Sequence, residues 1–255
     1  MQASIVTGGG RGVGRAIALR LAQDGPVVLV GRNAADLDAT VAEIAARGGI
    51  AVACAGDVAD PATSRRAIVA LQWPLHHVVC NAGIGRSGAT DAVDPADWQR
   101  VFDVNVNGCF HLLRAALPLL AREPGHAITI VSSLAGVRGV AYDAAYTASK
   151  HALVGFARAL ALEYAKRGLV VAALCPSFIA SEMTTRTIRG VMKRQGLDEA
   201  AATARVASKS PAGRILPAEE IAEAVALLGA GRVDDARALA ARGGYPIAGT
   251  RETTP

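Results

Sequence analysis

Aromatic side chains make up only 4% of this 255-residue chain, and its four cysteines stand far apart. With so few rings, the interior must be filled mainly by Ala, Val, Leu and Gly, which suits helices packed closely on a sheet. Cys54, Cys80, Cys109 and Cys175 form no C-x-x-C pair, so neither a thiol metal site nor a dithiol redox motif is expected, only reduced and mostly buried thiols. No apolar run approaches the ~20 residues needed to span a bilayer. The chain enters an apolar segment almost at once, which leaves no room for a signal peptide; a cytoplasmic protein with no membrane partner is expected. Low-complexity segments are also missing. The net charge of +5 is spread without the Lys/Arg clusters and interleaved aromatics of a nucleic-acid surface, which argues against a nucleic-acid partner. One local excess stands out. Between Glu182 and Arg214 there are seven basic residues (Arg186, Arg189, Lys193, Arg194, Arg205, Lys209, Arg214) against three acidic ones (Glu182, Asp198, Glu199).

What is present is half the chain in hydrophobic residues, 51%, enough to bury the core of one large α/β domain. Residues 2–6 form a short apolar run. They lead into Thr7-Gly8-Gly9-Gly10-Arg11-Gly12-Val13-Gly14, and Ala16, Ile17, Leu19 and Leu21 follow at helical spacing. This reads as strand, glycine turn, helix. Such a turn lets a diphosphate approach the backbone closely, and the helix amino terminus offers it free N–H groups and a positive dipole end. A second strand at 27–30 ends in Gly31-Arg32-Asn33, where a dinucleotide fold reads the adenosine ribose. An acidic residue there would bond a free 2′-hydroxyl, whereas Arg32 suits a 2′-phosphate, and Arg11 can reach the same group. The two arginines favour NADP(H) over NAD.

The alternation continues with a helix at 34–47, a strand at 50–55 ending in Gly56-Asp57-Val58, a helix after Pro61, and a strand at 77–80 ending in Asn81-Ala82-Gly83. It predicts a parallel sheet with right-handed crossovers, with residues just beyond the strand ends lining a ligand crevice. Asp57 is placed to accept from the adenine amino group and Asn81 to brace the turn beside the ribose. Farther on, Tyr146-Thr147-Ala148-Ser149-Lys150 sets a phenol and an ammonium four residues apart on one helical face. A phenol titrates near ~10, so a neighbouring cation would help it exchange protons at neutral pH.

Taken together, Thr7-Gly8-x-x-x-Gly12-x-Gly14, Asn81-Ala82-Gly83 and Tyr146-x-x-x-Lys150, in this order and spacing, resemble the classical short-chain dehydrogenase/reductase family from residue 2 to about 230. The resemblance implies a single Rossmann domain over 1–245, a doubly wound parallel sheet flanked by helices. It also implies a variable substrate cover at about 181–215, and 246–255 remains as a loosely held tail. It implies a catalytic Asn105 within a helix at 97–121, with Asn107 the competing choice. Ser133, thirteen positions before Tyr146, is selected over Ser132 to bond the substrate carbonyl. Tyr146 then donates the proton, and Lys150 lowers its pKa and holds the nicotinamide ribose. Val13, Val58, Ala82, Gly83, Pro176, Ser177, Ile179 and Ser181 complete the cofactor contacts, with Ser177 standing where the family has glycine and restricting the backbone. Tyr142 lacks a lysine four residues on and is read as a pocket wall. The motif and the basic cover resemble those of 3-oxoacyl-thioester and polyketide ketoreductases, which implies a ketone or acyl-thioester substrate, possibly carrier-bound. The alternatives are an alcohol or 3-hydroxyacyl dehydrogenase working oxidatively and a nucleotide-sensing protein without turnover. Leu153, Phe156 and Leu160 are expected to add apolar surface for a homo-oligomer, a dimer or tetramer. A final helix is expected at 218–228. Alanine-rich Arg237–Gly244 stands where the family's closing strand belongs, which argues against a strand there.

Overall fold

Seven strands, β1 (Ala3–Thr7), β2 (Val27–Gly31), β3 (Ala51–Ala55), β4 (Leu75–Cys80), β5 (Ala127–Val131), β6 (Val170–Leu174) and β7 (Ile247–Gly249), form one sheet in the computed structural model. The structure describes residues 1–121 and 124–249. The strand order is β3-β2-β1-β4-β5-β6-β7, all parallel except β7, which runs antiparallel to β6. The helices are α1 (Gly12–Leu21), α2 (Ala34–Ala46), α3 (Pro61–Val69), α4 (Pro95–Phe102), α5 (Gly108–Leu120), α6 (Ala144–Glu163), α7 (Glu182–Gln195), α8 (Glu199–Ala207), α9 (Ala218–Gly229) and α10 (Val233–Arg242).

Strands buried on both faces read as unbroken Val/Ile/Ala runs, and successive residues face opposite helical layers. Val6 and Leu29 pack with Ile17, Leu21 and Leu37 of α1 and α2 and with Ile221 and Val225 of α9. Ile5 and Val30 face the other way, joining the cluster of Leu112, Leu113 and Leu120 of α5 and Leu153, Ala157 and Leu160 of α6. Small side chains carry much of this contact: Ala218, Ala222, Ala224 and Ala226 of α9 are all buried, so the scarcity of rings is met by short distances between helix and sheet. The chain reverses direction across the sheet at β1, whose neighbours are β2 on one side and β4 on the other. In open sheets of this kind such a reversal marks a ligand crevice beyond the carboxyl ends of the strands.

Two of the following four expectations hold and two change. The helix expected at 97–121 forms as one continuous run, Pro95 to Leu120, in which α4 passes through a π-helical stretch, Asp103–Asn107, into α5. Leu153 and Leu160 are core residues, 2% and 4% exposed; the apolar surface on this side comes from Phe110 and Leu162, with Phe156 only partly buried. The alanine-rich segment where a strand was doubted is indeed helical, as α10. The closing strand comes later, inside the stretch expected to be loose: Ala172, Ala173 and Leu174 pair with Gly249, Ala248 and Ile247, and the Cys175 N–H donates to the Pro246 carbonyl at 3.0 Å. Residues 250–255 of that expected tail lie outside the described residues. No helix among the described residues is long and apolar enough to cross a membrane.

Candidate active site

The carboxyl ends of β1 and β4 are tied by one side chain. The Thr7 hydroxyl accepts from the N–H groups of Asn81 (2.9 Å) and Ala82 (3.0 Å) and faces the Val79 carbonyl at 3.4 Å, while the Asn81 amide donates back to the Thr7 carbonyl at 2.9 Å. The glycine turn folds against this knot. A Cβ on Gly14 would lie 2.0 Å from the Gly8 carbonyl oxygen, and Gly8 has φ +71°, so neither position accepts a side chain. Helix α1 then begins with no side-chain cap on its first turn, whereas Asn33, Asp60 and Asp94 cap α2, α3 and α4. Uncapped N–H groups above a turn that excludes side chains fit a dinucleotide diphosphate. The two arginines have different partners. Arg11 pairs with Glu182 at the start of α7 at 3.0 Å, while Arg32 lies near Asp57. Asp57 also accepts from the Ala59 N–H and pairs with Arg100. Burial alone would raise the Asp57 carboxyl, but the Ala59 bond, Arg100 and Arg32 together hold it below its ordinary value.

From the β4 turn the connection runs into the π-helical stretch. Asn105, 1% exposed, accepts from the Ile84 N–H (2.8 Å) and donates to the Ile84 carbonyl and to the Ser149 hydroxyl, both at 2.9 Å. The competing Asn107 bonds Asp103, four residues back in the same helical run, and no other side chain among the described residues; Asn105 is the one of the two tied to the β4 turn and to α6. Ser149, fully buried, donates in turn to the Tyr146 carbonyl at 2.7 Å. Its role was not read from the sequence, although a small polar residue one position before Lys150 was the available signal. A Cβ on Gly83 would lie 3.3 Å from the Asn105 side-chain Oδ1 and 3.5 Å from Lys150 Nζ; glycine there lets both groups converge.

Ser132 and Ser133 separate cleanly. Ser132 donates to the Lys150 carbonyl at 3.0 Å, whereas the Ser133 hydroxyl accepts from the Ala135 N–H at 3.1 Å and lies near enough to the Tyr146 phenol to draw its pKa down. The phenol is held above its ordinary pKa: burial raises it, Ser133 draws it partly back, and Asp143 adds to the rise. Lys150, 4% exposed, sits 5.5 Å from the Tyr146 ring centroid, with Nζ donating to the Val131 carbonyl at 2.9 Å. Burial pulls its pKa down to about 8, against a smaller upward pull from the neighbouring Cys109 and Cys175. The expected lowering of the tyrosine by the lysine is therefore not met. The ammonium is spent on a backbone carbonyl, and loss of water dominates both groups. The phenol consequently stays protonated at neutral pH, the form that donates a proton.

On the far side, Pro176 accepts from the Leu134 N–H at 2.8 Å, and the Ser177 and Ser210 hydroxyls bond at 2.7 Å. Ser177 has no positive φ, so it replaces glycine without strain and ties the loop to the end of α8. Ile179 pairs with Leu216, and Ser181 caps α7 through the Thr184 N–H.

The sequence profile of short chain dehydrogenases matches residues 2–191. The chain belongs to that family. It is an oxidoreductase of CH–OH and C=O groups that uses a nicotinamide cofactor. It is 37% identical over 195 residues to a 3beta-hydroxysteroid dehydrogenase of Mediterraneibacter gnavus, covering 74% of this chain and 70% of that protein. It is 37% identical over 188 residues to a 3-oxoacyl-[acyl-carrier-protein] reductase of Synechocystis, covering 72% and 76%. A solved actinorhodin polyketide ketoreductase with NADPH aligns at TM-score 0.84 and 31% identity over 89% of this chain and 90% of that one.

Because burial depresses Lys150, its ammonium is complete below pH about 8 and lost above it. In the free enzyme, kcat/KM for ketone reduction is expected to fall as pH rises through that value, and Lys150→Met to abolish the limb. A profile flat to pH ~10 would assign the ammonium no part in turnover.

Proposed function

We propose that this protein reduces a ketone to a secondary alcohol with NADPH, and that its substrate is a 3-oxoacyl thioester or a polyketide-type ketone. The observation that carries this reading is the Tyr146 ring 5.5 Å from the buried Lys150 ammonium, with Ser133 near the phenol at the carboxyl end of β5. When bound, the nicotinamide supplies the hydride. Thr7, Gly8, Gly12, Val13 and Gly14 would hold the diphosphate side, and Arg32, with Arg11 once released from Glu182, the 2′-phosphate. Asp57 and Val58 flank the adenine. Asn81, Ala82, Gly83 and Lys150 would hold the nicotinamide ribose, and Pro176, Ser177, Ile179 and Ser181 the carboxamide. Ser133 bonds the substrate carbonyl oxygen and aims it at Tyr146. Tyr146 gives that oxygen its phenolic proton as the alcohol forms. Asn105 holds the loop at Ile84, and the Lys150 ammonium, fixed on the Val131 carbonyl, would bond the nicotinamide ribose hydroxyls.

The substrate class rests on the helices over the crevice. Glu182 pairs with Arg186, and Arg214 with Glu220. Arg189, Lys193, Arg194, Arg205 and Lys209 have no carboxylate partner among the described residues. Five unneutralised cations on a cover suit a substrate delivered on an anionic carrier, as the name of the Synechocystis relative implies for that protein.

A homo-oligomer is proposed through α5 and α6. Phe110 is 45% exposed there, 6.5 Å from Phe156 between ring centroids. Both line a cavity of about 500 Å³ with Arg114, Glu163 and Arg167. Rings beside charges of both signs suit a second copy related by a two-fold axis; light scattering should return at least a dimer mass, and a monomer would remove the assignment.

Tyr146→Phe is expected to lower kcat by about 10²–10⁴ while NADPH affinity stays nearly unchanged, measured by NADPH oxidation and by fluorescence titration. Substantial ketone reduction by that variant would sink the proposed acid. Arg32→Asp is expected to raise KM for NADPH far more than for NADH; equal losses would place the 2′-phosphate elsewhere.

A further inference from the structure

Tyr142 has a φ of +64° and is the one non-glycine residue with positive φ among those described. That region suits glycine; a bulky side chain stays in it only where the surroundings hold the backbone. Here they do. The Gly88 N–H donates to the Tyr142 carbonyl at 2.8 Å, and the adjoining Asp143 takes the Ser87 hydroxyl on its carboxylate. Asp143 is further fixed by its N–H to Val140 (3.3 Å) and by its carbonyl, which accepts from the Thr147 N–H of α6 at 2.8 Å. Yet the residue positioned by these bonds is left largely open to solvent. It is 70% exposed, and its hydroxyl has no hydrogen bond among the described residues. Burial therefore does not account for an aromatic residue at this position.

Its location does. Gly85 backs onto the Tyr146 ring, where an added Cβ would lie 3.5 Å from Cδ2. Three residues later Gly88 bonds Tyr142, so at most about 10 Å of chain lies between the two contacts. The rim continues along Val137 and Val140, which are 39% and 38% exposed, and Arg138 reaches the Lys209 carbonyl at 3.3 Å at the end of the cover. The exposed ring thus stands at the mouth of the crevice, between the loop at 84–88 and the cover, on an apolar edge. We infer that Tyr142 is a specificity-determining residue, an aromatic platform that packs on the ring of a cyclic ketone and favours it over a linear one. This inference rests on the ketone-reductase reading and, within it, favours a ring-bearing polyketide-type ketone over a linear 3-oxoacyl thioester. A flat ring offers another ring an offset-stacked or face contact that a flexible chain matches less well and only by losing rotamer freedom.

The test compares 2-decalone with 2-decanone, a ring and a chain of equal carbon count, in NADPH oxidation by the full chain. Wild type should prefer 2-decalone, and Tyr142→Phe should keep the preference. Tyr142→Ala should lose about three- to tenfold in kcat/KM for 2-decalone, mostly through KM, with 2-decanone changed less than about twofold. Tyr142→Gly should lose the same preference while its Tm does not fall below that of Tyr142→Ala, because glycine accepts the positive φ. Equal losses on both ketones, or an unchanged ratio in Tyr142→Ala, would overturn the platform. If wild type oxidises NADPH with neither ketone nor an acyl thioester, the reductase reading fails separately. Saturation-transfer NMR of 2-decalone then decides the platform: signal lost in Tyr142→Ala supports it, and equal signal in both proteins overturns it.

Discussion

One threonine hydroxyl holds the two halves of the site together. Thr7 ends β1, where the sheet reverses its winding, and its oxygen accepts from two consecutive N–H groups of the turn after β4. From there a single polar path crosses the crevice. The turn leads to Ile84, whose peptide is clamped by Asn105; Asn105 bonds Ser149; and Ser149 bonds the carbonyl of Tyr146. The glycine turn and the tyrosine helix are 132 residues apart, counted from Gly14 to Tyr146, yet no step on this path exceeds 3.0 Å. Buried polar groups joined this way are costly to leave half satisfied, so the path also fixes a unique geometry.

Burial sets the electrostatics of that geometry. Desolvation acts in opposite directions on an acid and a base, raising Tyr146 and lowering Lys150, and brings their proton equilibria closer together. Burial likewise pushes the nearby Cys175 thiol up to about 11. A pair read from sequence as cation-helps-phenol is therefore better described as two groups stripped of water, one orienting through Val131 and the other ready to donate.

Much of the site was legible because its chemistry demands particular residue types at close spacing. The glycine turn announces itself, since a Cβ at Gly14 would collide with the backbone. Tyr146 and Lys150 are one helical turn apart wherever their helix lies. Ser133 over Ser132, and Asn105 over Asn107, followed from a family spacing and not from local chemistry; only the partners of each side chain separate them physically. The misreadings share another cause. Leu153 and Leu160 look like surplus apolar surface until the sheet that covers them is in place. The closing strand hid in Ile247–Gly249 because three residues with two glycine or alanine positions carry no strand signal of their own, and β6 supplies the pairing. The ion pair of Arg11 with Glu182 joins residues 171 apart in the chain, beyond any local pattern.

Local physics, then, was settled by the sequence alone: alternating apolar runs and helices, a turn that admits only glycine, and a phenol and ammonium on one helical face. These depend on neighbours within a few residues, and the amino-acid order states them directly. Tertiary structure decided everything that depends on water being absent or on distant backbone being near. It chose which serine meets the phenol, turned the tyrosine pKa upward, distorted the helix at Asn105, and left Tyr142 strained and bare at the mouth of the crevice. Burial and long-range hydrogen bonding are properties of the assembled fold, and no window of sequence contains them.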